Sequence, residues 1–251
     1  MIKKYKDLFK LNGELAKLVA DTWETADFQP ETYAQVVIIF FLAKAYKTIQ
    51  AILLLCRQGY GEDAGILLRS LFEIGVNAWY IADNEELAQR YLDYKAIQVH
   101  RLLEDPSWGF ILGEVGKDKV REIRERCEEA QAKHKYGKSI SWSGKSMKEM
   151  AEAVDLGPAY SSIYVIMSQL NHPSAGTMLD YVQMDKEGLV TGVKLSPSDN
   201  LIREVLLGAV PLLLNVVKQW RMQFNLGIET KIMEIDSRIM EMEVKYVPTR
   251  A

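Results

Sequence analysis

The chain is poor in the residues that build covalent staples, metal centres and membrane spans. It holds two cysteines and three histidines in 251 residues, and Cys56 and Cys127 stand in no C-x-x-C or Cys/His spacing. That argues against a disulfide framework or a zinc site, and no metal or cofactor is expected. The formal charge is −3, so the chain lacks the global basic field of a general nucleic-acid binder. No secretory apolar segment follows Met1-Ile2-Lys3-Lys4-Tyr5-Lys6-Asp7. Long hydrophobic runs are missing too: Val36 to Cys56 is interrupted by Lys44 and Lys47, and Val205 to Val217 is thirteen residues long and contains Pro211. A membrane span needs about 20 uninterrupted apolar residues. Both segments read as buried helices of a cytoplasmic protein with no membrane partner. Two catalytic signatures are absent as well. No G-x-S-x-G surrounds Ser168, and Gly144-Lys145-Ser146, which looks like the end of a phosphate-binding loop, has Ser139 where the first glycine belongs.

What the chain does have is helical periodicity. Its composition, 48% hydrophobic and 26% charged, is that of an ordinary globular protein. Leu8, Leu11, Leu15, Leu18 and Val19 mark a first helix over residues 3–24. Pro30 opens a second, which stops at Gly59 and Gly61. A third covers 62–83, and Asn84 with Glu85 and Glu86 caps a fourth that runs to Asp105. A glycine-containing stretch over 107–116 leads into a charged helix over 117–135 and then a polar loop over 137–145 around Trp142. Ser146-Met147-Lys148-Glu149 is a capping box for a short helix, and Gly157-Pro158 breaks that helix and launches another, which Pro173 ends. Tyr181–Met184 and Leu189–Val193 flank a turn signal at Asp185-Lys186-Glu187-Gly188, giving a β-hairpin near 180–195. Ser196-Pro197-Ser198-Asp199 caps a long apolar helix bent at Pro211, and an amphipathic helix over 229–246 follows. With no repeat or low-complexity linker, the expectation is a mainly α, multi-helix, single-domain bundle over 1–251 with one small hairpin.

Two polar stripes stand out from this apolar background. Arg69 and Glu73 lie four residues apart in the run from Ala64 to Tyr80, and Asn77, a candidate ligand contact, extends them by a turn. Tyr164, Ser168 and His172 repeat the spacing on another packed stretch. On a helix each set shares a face, and a buried polar face must be paired or it is costly. Letting the stripes face each other satisfies both. In that pocket His172 serves as general acid or base, Glu73 orients it, Arg69 clamps an anion, and Tyr164 and Ser168 complete the wall. The plainer alternatives are a surface ion pair at 69/73, in the poorer Arg-then-Glu order, and a structural histidine at a helix C-terminus.

A second feature is local charge. Between Lys117 and Lys148 ten Lys/Arg face five acids. With Tyr136 and Trp142 nearby, this can form a small nucleotide or RNA patch, although a solvated helix followed by a basic loop is the commoner outcome. Lys145, beside the N-terminus of the capped helix, is a candidate anion contact together with Trp142. Met233, Met240 and Met242 on the C-terminal helix suggest a homo-oligomer contact.

Leu67-Leu68-Arg69-Ser70-Leu71-Phe72-Glu73, the later Tyr164-x3-Ser168-x3-His172 and the Trp-containing loop between them resemble a bacterial family catalogued as domain of unknown function 5677, over about residues 35–185. The resemblance implies an all-helical protein from bacteria or their mobile elements, with those five positions as its site and residues 198–246 packing on the family-like core. A looser likeness is to helical ribonucleases of the HEPN class, found in toxin and phage-defence systems. Their Arg and His are separated by four to six residues, whereas Arg126 and His134 here have seven between them and Arg90 and His100 nine. The leading expectation is therefore recognition of a small anionic ligand, nucleotide or RNA, in a regulatory or defence role. The alternatives are metal-independent phosphodiester cleavage with His172 as acid/base, and an interaction module whose polar cluster is structural.

Overall fold

The computed structural model describes residues 2–26, 29–82, 84–105, 107, 116–136, 141–172 and 174–246. Its helices are α1 (Lys6–Thr25), α2 (Tyr33–Gln58), α3 (Gly61–Ile81), α4 (Glu85–Glu104), α5 (Lys117–His134), α6 (Met147–Ala153), α7 (Gly157–Ala159), α8 (Val165–Asn171), α9 (Met178–Tyr181), α10 (Ile202–Gln223) and α11 (Glu229–Tyr246). A π-helical turn, Tyr160–Tyr164, joins α7 to α8, and a 3₁₀ turn, Ala175–Thr177, precedes α9. Strands β1 (Val182–Met184) and β2 (Val190–Val193) form an antiparallel hairpin with a register shift after Gln183. The protein is thus mainly α with one small hairpin. The glycine-containing stretch over 107–116 lies almost entirely outside the described residues, as does the start of the polar loop, 137–140.

Local chemistry sets several helix ends. Thr32 and Gln35 form a reciprocal capping box on α2, and Gly59 closes that helix at φ 88° in the left-handed region. The Asn84 side chain accepts from Leu87 N at 2.9 Å to start α4. Glu85 then reaches back to accept from Tyr33 N (2.7 Å) and Ala34 N (3.0 Å), putting a carboxylate on the positive end of α2.

One expected cap fails. Ser198 and Asp199 do not cap α10, which begins later, after Leu201 in the left-handed region at φ 58° and with no side-chain cap. Asp199 instead pairs with Lys4, and Ser198 N donates to Gly59 O at 2.9 Å. The chain folds tightly over the start of α3 here: a Cβ on Gly61 would lie 1.9 Å from Asn200 O. Beyond that point α10 continues through Pro211 to Gln223.

Helices α2, α3 and α10 pack on one another at the centre, with α1 and α11 against α10 and α5 against α4. The buried side chains of all these helices form one apolar cluster that includes Phe72, Ile49, Leu71 and Trp220. Among the described residues α2 alone is long and apolar enough to cross a membrane, and here its buried face packs on α3 and α10. Cys56 sits inside this core, where burial pushes its thiol up to about 12. On α11, Ile232, Ile235 and Ile239 face inward, Met233 and Met240 are exposed, and Met242 is packed against the core rather than presented outward.

Candidate functional site

Helix α3 carries the polar stripe, and two close approaches decide what it meets. A Cβ on Gly65 would lie 2.8 Å from both Leu170 Cδ1 and Met167 Sδ, so the glycine lets α8 press against α3. That brings Tyr164 over Arg69. The Arg69 guanidinium lies 4.8 Å from the Tyr164 ring centroid, and its Nη2 donates to the Tyr164 hydroxyl at 3.0 Å. The same group pairs with Glu73 Oε1 at 3.1 Å, in the sequence order that isolated helices disfavour. Tyr164 supplies the missing orientation. Its hydroxyl, and after it Glu73, hold Arg69 more firmly protonated against the opposing effect of desolvation. Arg69 Nε is buried with no protein acceptor. The cluster is not sealed: the Glu73 side chain is 38% exposed and that of Arg69 24%.

The other half of the expected constellation does not converge. Ser168 Oγ donates to its own helix, to Tyr164 O at 2.5 Å, which satisfies it locally. His172 has left the helix. It precedes a proline, which disfavours the helical region, and it takes φ −122°, ψ 141°. Its ring is exposed, 3.5 Å from Asn171 Nδ2, and forms no ion pair with Glu73 among the described residues. The π-helical turn interrupts the regular spacing at the stripe's other end. The sequence-based picture of a buried five-residue pocket therefore reduces to Arg69, Glu73 and Tyr164.

Beside this cluster lies a cleft of about 730 Å3. Ser70, Glu73 and Asn77 of α3 line it together with α2, α4, the Trp142 loop and α6. Asn77 and Trp142 serve as its framework. Asn77 Nδ2 donates to Glu73 O at 2.7 Å, and Asn77 Oδ1 accepts from Trp142 Nε1 at 2.8 Å. Trp142 is 7% exposed, with Tyr91 edge-on at 5.3 Å and Tyr80 at 6.1 Å. Expected as ligand contacts, both have their polar atoms engaged within the protein. Trp142 O accepts from Arg90 Nε (2.8 Å), and Arg90 Nη1 donates to His134 O (2.7 Å). The His134 ring is paired with Asp93 at 2.6 Å. These bonds fasten the loop to α4 and α5.

Lys145 is exposed in the cleft, 5.4 Å from the Tyr80 ring centroid, and the Tyr80 hydroxyl raises its pKa. The N-terminus of α6 beside it already holds a carboxylate: Glu149 accepts from Ser146 N at 2.7 Å, and Glu149 N donates to Ser146 Oγ at 3.2 Å.

Sequence reasoning missed Lys44 of α2 and Lys95 of α4. Both are exposed, both line the cleft, and neither is ion-paired among the described residues. Lys44 left a signal, as one of two charges interrupting an apolar helix. The neighbouring groove between α4 and α5, about 630 Å3, is a useful contrast. It shares Lys95 with the cleft, but its own Lys119, Arg126 and Lys133 are each paired with a carboxylate, as is Arg121 on the same helix. Four of the six Lys/Arg on α5 are thus ion-paired, as on a solvated face.

Fold and site together define a mainly α protein with a lysine-rimmed cleft built on its central helix. Within that class the chain belongs to the family of unknown function DUF5677, which matches residues 35–189 and so takes in all but the first two residues of α2, then α3, α4, the Trp142 loop and strand β1, and ends before β2. No curated protein and no solved structure matches the chain.

Proposed function

We propose that the cleft beside Glu73 binds a small anionic ligand of the nucleotide class. One observation carries this reading: Lys44, Lys95 and Lys145 come from three separate elements to a single cleft, and none is neutralised by a carboxylate in an ion pair among the described residues. Unpaired like charges gathered at one place repel each other and gain from an anion that bridges them. The side chain of Phe40, 46% exposed and 6.4 Å from Tyr91, adds an apolar aromatic surface for a planar group. A binding role is preferred to acid–base chemistry because His172 is exposed and forms no ion pair with Glu73 among the described residues. It is preferred to a purely architectural cluster because Glu73 is open to solvent.

Isothermal titration with nucleoside monophosphates and their uncharged nucleosides tests the reading. The monophosphates should bind, the nucleosides should bind much more weakly, and Lys44→Ala or Lys95→Ala should each weaken binding roughly tenfold, an effect that shrinks as salt is raised. Equal binding of nucleoside and nucleotide, or no effect of either lysine, rejects it.

A further inference from the structure

A carboxylate in a cleft that takes an anion opposes its own ligand. Glu73 is the one acid among the described lining residues, yet none of the cleft lysines is ion-paired to it. Its counter-charge comes from its own helix, through Arg69 at 3.1 Å on Oε1, and Tyr164 anchors that arginine in turn. The acid is thus oriented from one side. Among the described residues no hydrogen bond ends on Oε2, and the carboxylate keeps most of its roughly four lone-pair sites. A charged, oriented and otherwise unengaged carboxylate is suited to accept hydrogen bonds from the ligand itself.

We propose that Glu73 is the specificity residue of this cleft and that it selects a guanine base, a step that rests on the anion-binding reading above. The chemistry singles out guanine. Two carboxylate oxygens match two adjacent N–H donors, and only guanine among the common nucleobases presents N1–H beside an N2 amine. Adenine and cytosine each set an amine beside an unprotonated ring nitrogen, uracil offers one N–H between two carbonyls, and hypoxanthine has N1–H alone. Arg69 on Oε1 still leaves that oxygen a second lone pair for the N2 amine. The lysines then face the phosphate, and Phe40 the flat of the base.

The test is isothermal titration of the full chain with GMP, IMP, AMP and 2′-deoxy-GMP, repeated on Glu73→Gln. GMP should bind about tenfold tighter than IMP and roughly a hundredfold tighter than AMP, the range a good bidentate base contact gives. The 2′-deoxy compound should match GMP. Glu73→Gln should bring the three bases together while all still bind, since the lysines remain. Equal affinities for GMP, IMP and AMP in the unaltered protein overturn the proposal and leave the anion cleft standing. So does a loss confined to 2′-deoxy-GMP, which would assign Glu73 to the ribose. Binding of none of the four overturns both this proposal and the reading beneath it. Should Glu73→Gln not fold, the series on the unaltered protein decides alone.

Discussion

Tyr164 holds Arg69 twice, through its hydroxyl and across its ring, and that double hold gives Glu73 a fixed partner. The ring is itself anchored, 5.0 Å from Tyr160 in a stacked pair and 5.7 Å from Phe72. Removing the hydroxyl alone separates the two contributions. Tyr164→Phe keeps the stack and deletes one hydrogen bond to a partly buried guanidinium, so it should cost about 1 kcal/mol. Urea unfolding should show a lower midpoint with an unchanged slope; a midpoint equal to that of the unaltered protein would mean that the ring alone holds Arg69. The residue scale also explains two reassignments. Asn77 and Trp142 are polar and aromatic groups of the kind ligands use, but they satisfy each other at 2.8 Å and so shape the cleft rather than present free polar atoms to it.

At the scale of elements, the position of α3 depends on glycines where other chain segments come close. Gly61 is the tighter case, because the atom facing its missing Cβ is a backbone oxygen, Asn200 O, which cannot rotate aside. Gly61→Ala must separate the start of α3 from the turn that leads into α10, and the cost should reach or exceed the 1–3 kcal/mol typical of overpacking. At Gly65 the facing atoms are the ends of Leu170 and Met167, flexible side chains that can give way. Thermal melts of Gly61→Ala and Gly65→Ala should therefore rank the first as clearly the more damaging; the reverse order would contradict the packing described for the start of α10. The caps at Asn84 and Ser146 form as read from sequence, because each bond joins residues three apart; α2, expected to open at Pro30, starts instead at Tyr33 under the Thr32–Gln35 box. The cap assigned to Ser198 and Asp199 does not form, because Asp199 is drawn to Lys4, far away in the chain.

Across the whole molecule, two exposed ion pairs tie the N-terminal segment to later elements: Lys4 with Asp199, and Asp7 of α1 with Lys245 of α11, both at 2.5 Å. The lysine partner holds each aspartate below its usual range, through the hydrogen bond first and the charge second. A carboxylate with a lowered folded-state pKa contributes stability that is complete above the unfolded value, about 3.9, and is lost as pH falls through the folded one. Melting temperature should therefore fall as pH drops below about 4, and by less in high salt, because these exposed pairs are already screened there. If Asp7→Asn and Asp199→Asn together leave the acid limb of that profile unchanged, other carboxylates account for it.

Sequence alone determined the long helices, the caps at Asn84 and Ser146, the hairpin and the apolar stripes, because 3.6-residue periodicity and capping bonds act between residues a few positions apart. It also singled out Arg69, Glu73 and Tyr164, since polar groups at helical spacing in an apolar run need partners. Only the tertiary structure decided which partners they found. His172 shares a spacing with Tyr164 but lies at a helix end, next to a proline that turns it outward. Lys44 and Lys95 look like ordinary surface charges on their own helices, and they become a site because α2, α3 and α4 pack so that one cleft collects them. That convergence depends on contacts between segments far apart in the chain, which periodicity within one helix does not encode.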